Sequence, residues 1–84
     1  MNPLIEINML ESILEIVNTV RQNRGKEKLV AIHNETHLKN DIGFDSLDLA
    51  ELTVRIEAKY NIDIFENKIV NTIGEIIEIL EEGK

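Results

Sequence analysis

An all-α domain is predicted, a four-helix bundle with a short third helix and a long loop between helices 1 and 2, and three observations predict it. Apolar residues recur at helical spacing in three separate stretches of the 84-residue chain. Helix-start signals stand before each of them: Asn2-Pro3, Asp45 with Asp48, and Thr72 with Glu75. Aromatic residues are scarce, two Phe, one Tyr and no Trp, which leaves Ile, Leu and Val to fill a small aliphatic core. The length suits one domain over residues 1–84. A domain of this size buries only about 60% of the surface its unfolded chain exposes, so a deep self-contained enzyme pocket is not expected.

The first helix is expected over residues 3–23. Asn2 is a good N-cap and Pro3 is favoured in the first turn. Leu10, Ile13, Leu14, Val17 and Val20 fall on one face, with Glu11 and Glu15 off it. Arg21 and Arg24 suit the negative end of the helix dipole, and Gly25 suits the stop. From Lys26 to Phe44 the periodicity fades. Leu29, Ile32, Leu38 and Ile42 are expected to pin this long loop to the core, and a loop of such length in a compact domain points to function. The second helix begins at Asp45-Ser46, with Asp45 as cap and Asp48 completing a box-like arrangement. Leu49, Leu52, Ile56 and Tyr60 are expected to face the core, while Leu47, Ala50 and Val54 form a second apolar strip. Residues 61–71 read as a linker with one short helical turn over 65–70. The last helix is expected over 73–82, led by Thr72 and Glu75 and carrying Ile76, Ile77, Ile79 and Leu80.

The charge is unevenly placed. Residues 1–40 hold five acids and five bases; residues 41–84 hold eleven acids and four bases, so the whole net charge of −7 lies in the second half. Such a field repels nucleic-acid phosphates and anionic membranes and favours basic partners. Without cysteine the chain has no disulfide and no thiol of its own. No basic region followed by a long apolar run opens the chain, and no stretch reaches the length of a membrane-spanning helix, so neither a secretory signal nor a membrane role is expected. A cytoplasmic monomer is the expectation.

Chemistry concentrates in Leu38-x-x-Asp41-Ile42-Gly43-Phe44-Asp45-Ser46-Leu47-Asp48. A glycine turn there delivers a serine hydroxyl to the start of a helix, where free backbone N–H groups favour anions such as phosphate. On residue chemistry alone, a capping serine is the more economical reading. A hydrolase triad is not expected: His33 and His37 lie among polar loop residues, and no Gly-x-Ser-x-Gly elbow is present. A calcium loop begun at Asp41 would put Ser46 where glycine is required. Asp45 and Asp48 are read as a solvated acidic face, with no metal site.

Gly43-Phe44-Asp45-Ser46-Leu47-Asp48 resembles the Gly-x-Asp-Ser-Leu attachment motif of acyl carrier proteins. The similarity runs upstream through Leu38-x-x-Asp41-Ile42-Gly43 and downstream through Asp48-Leu49-Ala50-Glu51-Leu52 to Thr72-Ile73. The expected order of helices matches that family over nearly the whole chain. The resemblance implies that Ser46 receives 4'-phosphopantetheine from coenzyme A through a phosphopantetheinyl transferase, and that acyl groups ride on the arm as thioesters. It implies a carrier and not an enzyme, serving fatty-acid or related secondary lipid or polyketide biosynthesis. Asp45, Asp48, Glu51 and Glu57 would then meet basic patches on the transferase and on acyl-transferring and acyl-modifying enzymes. Leu47, Ala50 and Val54 match positions that face partners or line the entrance for the acyl chain, in a cavity between helices lined by aliphatic side chains.

Arg55 and Lys59 depart from the family, whose corresponding helix is more uniformly acidic, as do Lys68, a shorter segment after Asp63 and the lack of net charge over the first forty residues. A carrier dedicated to one secondary pathway accommodates such a surface. The alternatives are an aminoacyl or peptidyl carrier, against which Asp45 argues, and an unmodified acidic helical interaction module.

Overall fold

The computed structural model describes residues 3–66 and 69–83, with side chains of the first helix from Asn8 onward. Three α-helices are present among them: α1 (Pro3–Asn23), α2 (Ser46–Tyr60) and α3 (Ile73–Glu82). The all-α class is as expected. The short third helix is not seen among the described residues of 61–71, and residues 67 and 68, which fall within its expected span, lie outside them. Asn2, the expected first cap, lies outside them too.

Helix α1 is the central element and packs against both α2 and α3. Met9, Ile13, Val17 and Val20 supply its buried face, meeting Leu52 and Ile56 of α2 and Ile73, Ile76, Ile77 and Leu80 of α3 in one core. Burying each such side chain stabilises the fold by about 1.5–3 kcal/mol. Leu10 and Leu14, expected on the same stripe, are half-buried beside it, as are Leu49 and Tyr60 of α2. The Tyr60 hydroxyl and the Ser12 hydroxyl are hydrogen-bonded at 2.9 Å, which fastens the end of α2 to α1.

The ends of α1 and α2 follow local chemistry. After α1 the Lys26 N–H reaches the Arg21 carbonyl at 2.9 Å and the Gly25 N–H reaches that of Gln22 at 3.0 Å. This is a Schellman closure, and Gly25 supplies the required positive φ of 75°. Helix α2 ends on Asn61 in the left-handed region, a conformation that Asn tolerates better than most residues.

The long loop is fastened at three levels. Ile32, Leu38, Ile42 and Phe44 are buried in the core, and Leu29 packs against it. The buried Asn18 side chain of α1 accepts from the Leu29 N–H at 2.7 Å and donates to the Leu29 carbonyl at 3.0 Å, satisfying both backbone groups of one loop residue. Residues 34–38 lie beside the entry to α3. Leu38 N–H donates to the Asn71 carbonyl, Ile73 N–H to Thr36 and Gly74 N–H to Asn34, around an antiparallel bridge between His37 and Thr72. That bridge has no counterpart in the helical reading of the sequence, because it joins two segments about 35 residues apart that show no strand periodicity.

Candidate functional site

The site is built by a turn and a cap. Gly43, at φ 82°, reverses the chain, and the buried Phe44 anchors the next residue to the core. From α1 the Arg21 guanidinium donates to the Ile42 carbonyl at 2.6 Å, and past its end the Lys26 ammonium donates to that of Gly43 at 3.3 Å. Asp45 then caps α2: its side chain accepts from the Asp48 N–H at 2.9 Å, and its own N–H donates to the Asp48 carboxylate at 3.0 Å. Both halves of the capping box are therefore made by aspartates.

This division of labour settles one question about Ser46. It is the first residue of α2, not the cap, and it is exposed. Its hydroxyl forms no hydrogen bond among the described residues. The capping reading fails because Asp45 already accepts the bond that a capping serine would take.

Along α2 the second apolar strip is where its spacing put it, with Leu47 68% and Val54 67% exposed and Ala50 between them. Ser46, Leu49, Ala50, Thr53 and Phe65 line an open cleft of about 280 Å³. The cleft begins at the serine and is walled by α2 on one side and the 61–66 segment on the other. It takes an aromatic side chain from that segment, whereas an aliphatic cavity between helices was expected. A larger groove, about 500 Å³, lies elsewhere, between α1 and Lys28–Val30.

The acids divide. Asp45 and Glu57 are exposed; Glu51 is half-buried and accepts from Arg55 Nε at 2.8 Å and from Asn23 Nδ2 at 2.9 Å. Asp48, expected on the docking surface, is only 2% exposed. It lies in the same i, i+4, i+8 row as Leu52 and Ile56, and burial there is the physical consequence. That spacing was visible in the sequence and outweighs the acidity of its neighbours. Arg24, which sequence reasoning assigned only to the end of α1, reaches across to Asp45 at 3.2 Å and Asp48 at 3.5 Å.

The Asp45 carboxyl is held below its ordinary value, chiefly by the Asp48 N–H that it accepts and further by Arg24. The hydrogen bond from Arg55, then that from Asn23, lowers Glu51. His37 is half-buried, and its Nδ1 accepts from the N–H groups of Lys39 and Asn40. His33 is exposed in the same loop. Among the described residues no group of three or more His, Cys, Asp or Glu side chains is arranged to hold a metal ion, and no helix is long and apolar enough to cross a membrane.

Comparison with known proteins shows the family. Residues 11–80 match the family model described as "Phosphopantetheine attachment site". The chain belongs to that family. Within it, an acyl carrier protein from Amoebophilus asiaticus is 40% identical over 50 residues, covering 57% of this chain and 62% of its own length. An acyl carrier protein from Helicobacter pylori is 40% identical over 53 residues, 60% of this chain and 67% of the relative. One from Wolinella succinogenes is 33% identical over 55 residues, 63% and 72% respectively. The match therefore spans somewhat under two thirds of the first relative's length. No solved structure matches the chain significantly.

Proposed function

We propose that this chain is an acyl carrier and that Ser46 bears its 4'-phosphopantetheine arm. The observation that carries the reading is the exposed Ser46 hydroxyl, relieved of capping by Asp45, within a chain of the phosphopantetheine attachment family. In the loading step Ser46 Oγ forms a bond to the phosphorus of the arm. The pyrophosphate linkage of coenzyme A breaks, adenosine bisphosphate leaves, and the serine proton passes to a base of the transferase. When bound, the arm supplies the thiol that the polypeptide lacks, and acyl groups are held there as thioesters. The apolar cleft that opens at Ser46 suits the first part of an aliphatic chain.

The protein is then a substrate for other enzymes and not a catalyst. Its partners are a phosphopantetheinyl transferase and enzymes of acyl transfer and modification, met in the cytoplasm by a monomeric, single-domain carrier. Leu47, Ala50 and Val54 supply the apolar part of the docking surface, and Asp45, Glu51 and Glu57 the acidic part. Buried Asp48 supports it from beneath. Loading assays on the intact protein and on Ser46→Ala test the assignment. The variant should keep its fold and melting temperature and acquire no arm; an arm on the variant would place the attachment elsewhere.

A further inference from the structure

The acids beside Ser46 already have partners inside the molecule. Arg24 Nη2 lies 3.2 Å from Asp45 Oδ2, and Arg24 Nη1 lies 3.5 Å from Asp48 Oδ1. The guanidinium is put there by backbone geometry. Arg24 is the first residue past α1, at the start of the Schellman turn that Gly25 and Lys26 close with two hydrogen bonds. From the last position of α1, Asn23 donates to Glu51. The end of α1 thus pairs with the capping carboxylate Asp45 and with both carboxylates in the first half of α2, Asp48 and Glu51. The Asp45 side chain remains 57% exposed and that of Arg24 38%. A cation of a partner can reach Asp45, but only in the immediate field of Arg24.

We propose that Arg24 is a specificity-determining residue for the loading of Ser46: by pairing with Asp45 it weakens the docking of transferases that approach the serine through a basic patch. The proposal rests on Ser46 being the attachment site. An incoming cation gains less from a carboxylate already paired, and it meets a like charge a few ångströms away, which is how charged surfaces reject partners. The effect is electrostatic at an exposed site, so salt must diminish it.

Steady-state loading by a broad-specificity phosphopantetheinyl transferase with a basic docking face, using a fluorescent coenzyme A derivative, tests this. At low salt, Arg24→Gln should lower KM about three-fold with kcat unchanged, and the gain should shrink at high salt. Arg24→Met, which keeps the stem without the charge, should behave alike, and Arg24→Lys should stay near the native KM. In an Asp45→Asn background, Arg24→Gln should give a smaller gain, only the direct repulsion between Arg24 and the incoming cation being left to remove. A KM that is unchanged or raised on removing the charge, or a gain undiminished without Asp45, would overturn the proposal. Equal KM values in variants that all load would defeat this inference alone. No loading of any variant would defeat the attachment reading and this one with it.

Discussion

Asp45, Ser46 and Asp48 show how position within one turn assigns three polar residues three different roles. Asp45 caps, Asp48 closes the box from a buried site, and the exposed Ser46 is left with a hydroxyl that makes no hydrogen bond among the described residues. The capping role was legible in the sequence, because an acid three residues after a capping residue is a local signal. The reach of Arg24 across to both acids was not, since nothing at residue 24 points to residue 45 until the chain has folded. The depressed Asp45 and Glu51 carboxyls carry a testable consequence. With folded-state values below the ordinary 3.8 and 4.5, they contribute stability above those values and lose it as pH falls through the folded-state values beneath. Asp45→Asn keeps a good cap and removes the charge. Urea midpoints followed from neutral pH to about 3 should therefore fall less steeply for the variant than for the native protein. Parallel curves would contradict the role given to Asp45.

At the scale of elements, the helices were the legible part. The apolar stripe and its flanking signals place α1 and α3 at the observed bounds, and Asp45 marks the start of α2. Local chemistry decides such boundaries, so local sequence reports them. The long loop was legible only as a row of anchors. Its pairing with residues 71–74 depends on Leu38 being drawn into the core, which sets the register of the hydrogen bonds beside it. Leu38→Ala should cost about 2–5 kcal/mol, measured by denaturant unfolding. It should also speed amide exchange at Leu38, Ile73 and Gly74 more than at Leu52 and Ile56. Uniform acceleration would mean that the loop has no local stability of its own to lose.

Across the whole molecule, composition foretold an acidic second half, and folding added what composition cannot express: which of those acids are covered. Asp45, Asp48 and Glu51 are paired or buried, while Glu57 stays open to solvent. A net charge of −7 on so small a chain still favours the unfolded state by self-repulsion. Added salt or magnesium should raise the melting temperature in calorimetry, and insensitivity to both would show that internal pairing has removed the repulsion. Under the proposed function, the exposed apolar strip of Leu47, Ala50 and Val54, the cleft at Ser46 and the missing thiol belong to one design, a small scaffold that presents an arm made elsewhere. The most direct measurement of that claim is the intact mass of the native protein after incubation with coenzyme A, magnesium and a broad-specificity phosphopantetheinyl transferase. The account predicts a gain of one phosphopantetheine, located on Ser46 by peptide fragmentation; a folded protein that gains nothing, or gains the arm at another residue, would contradict it.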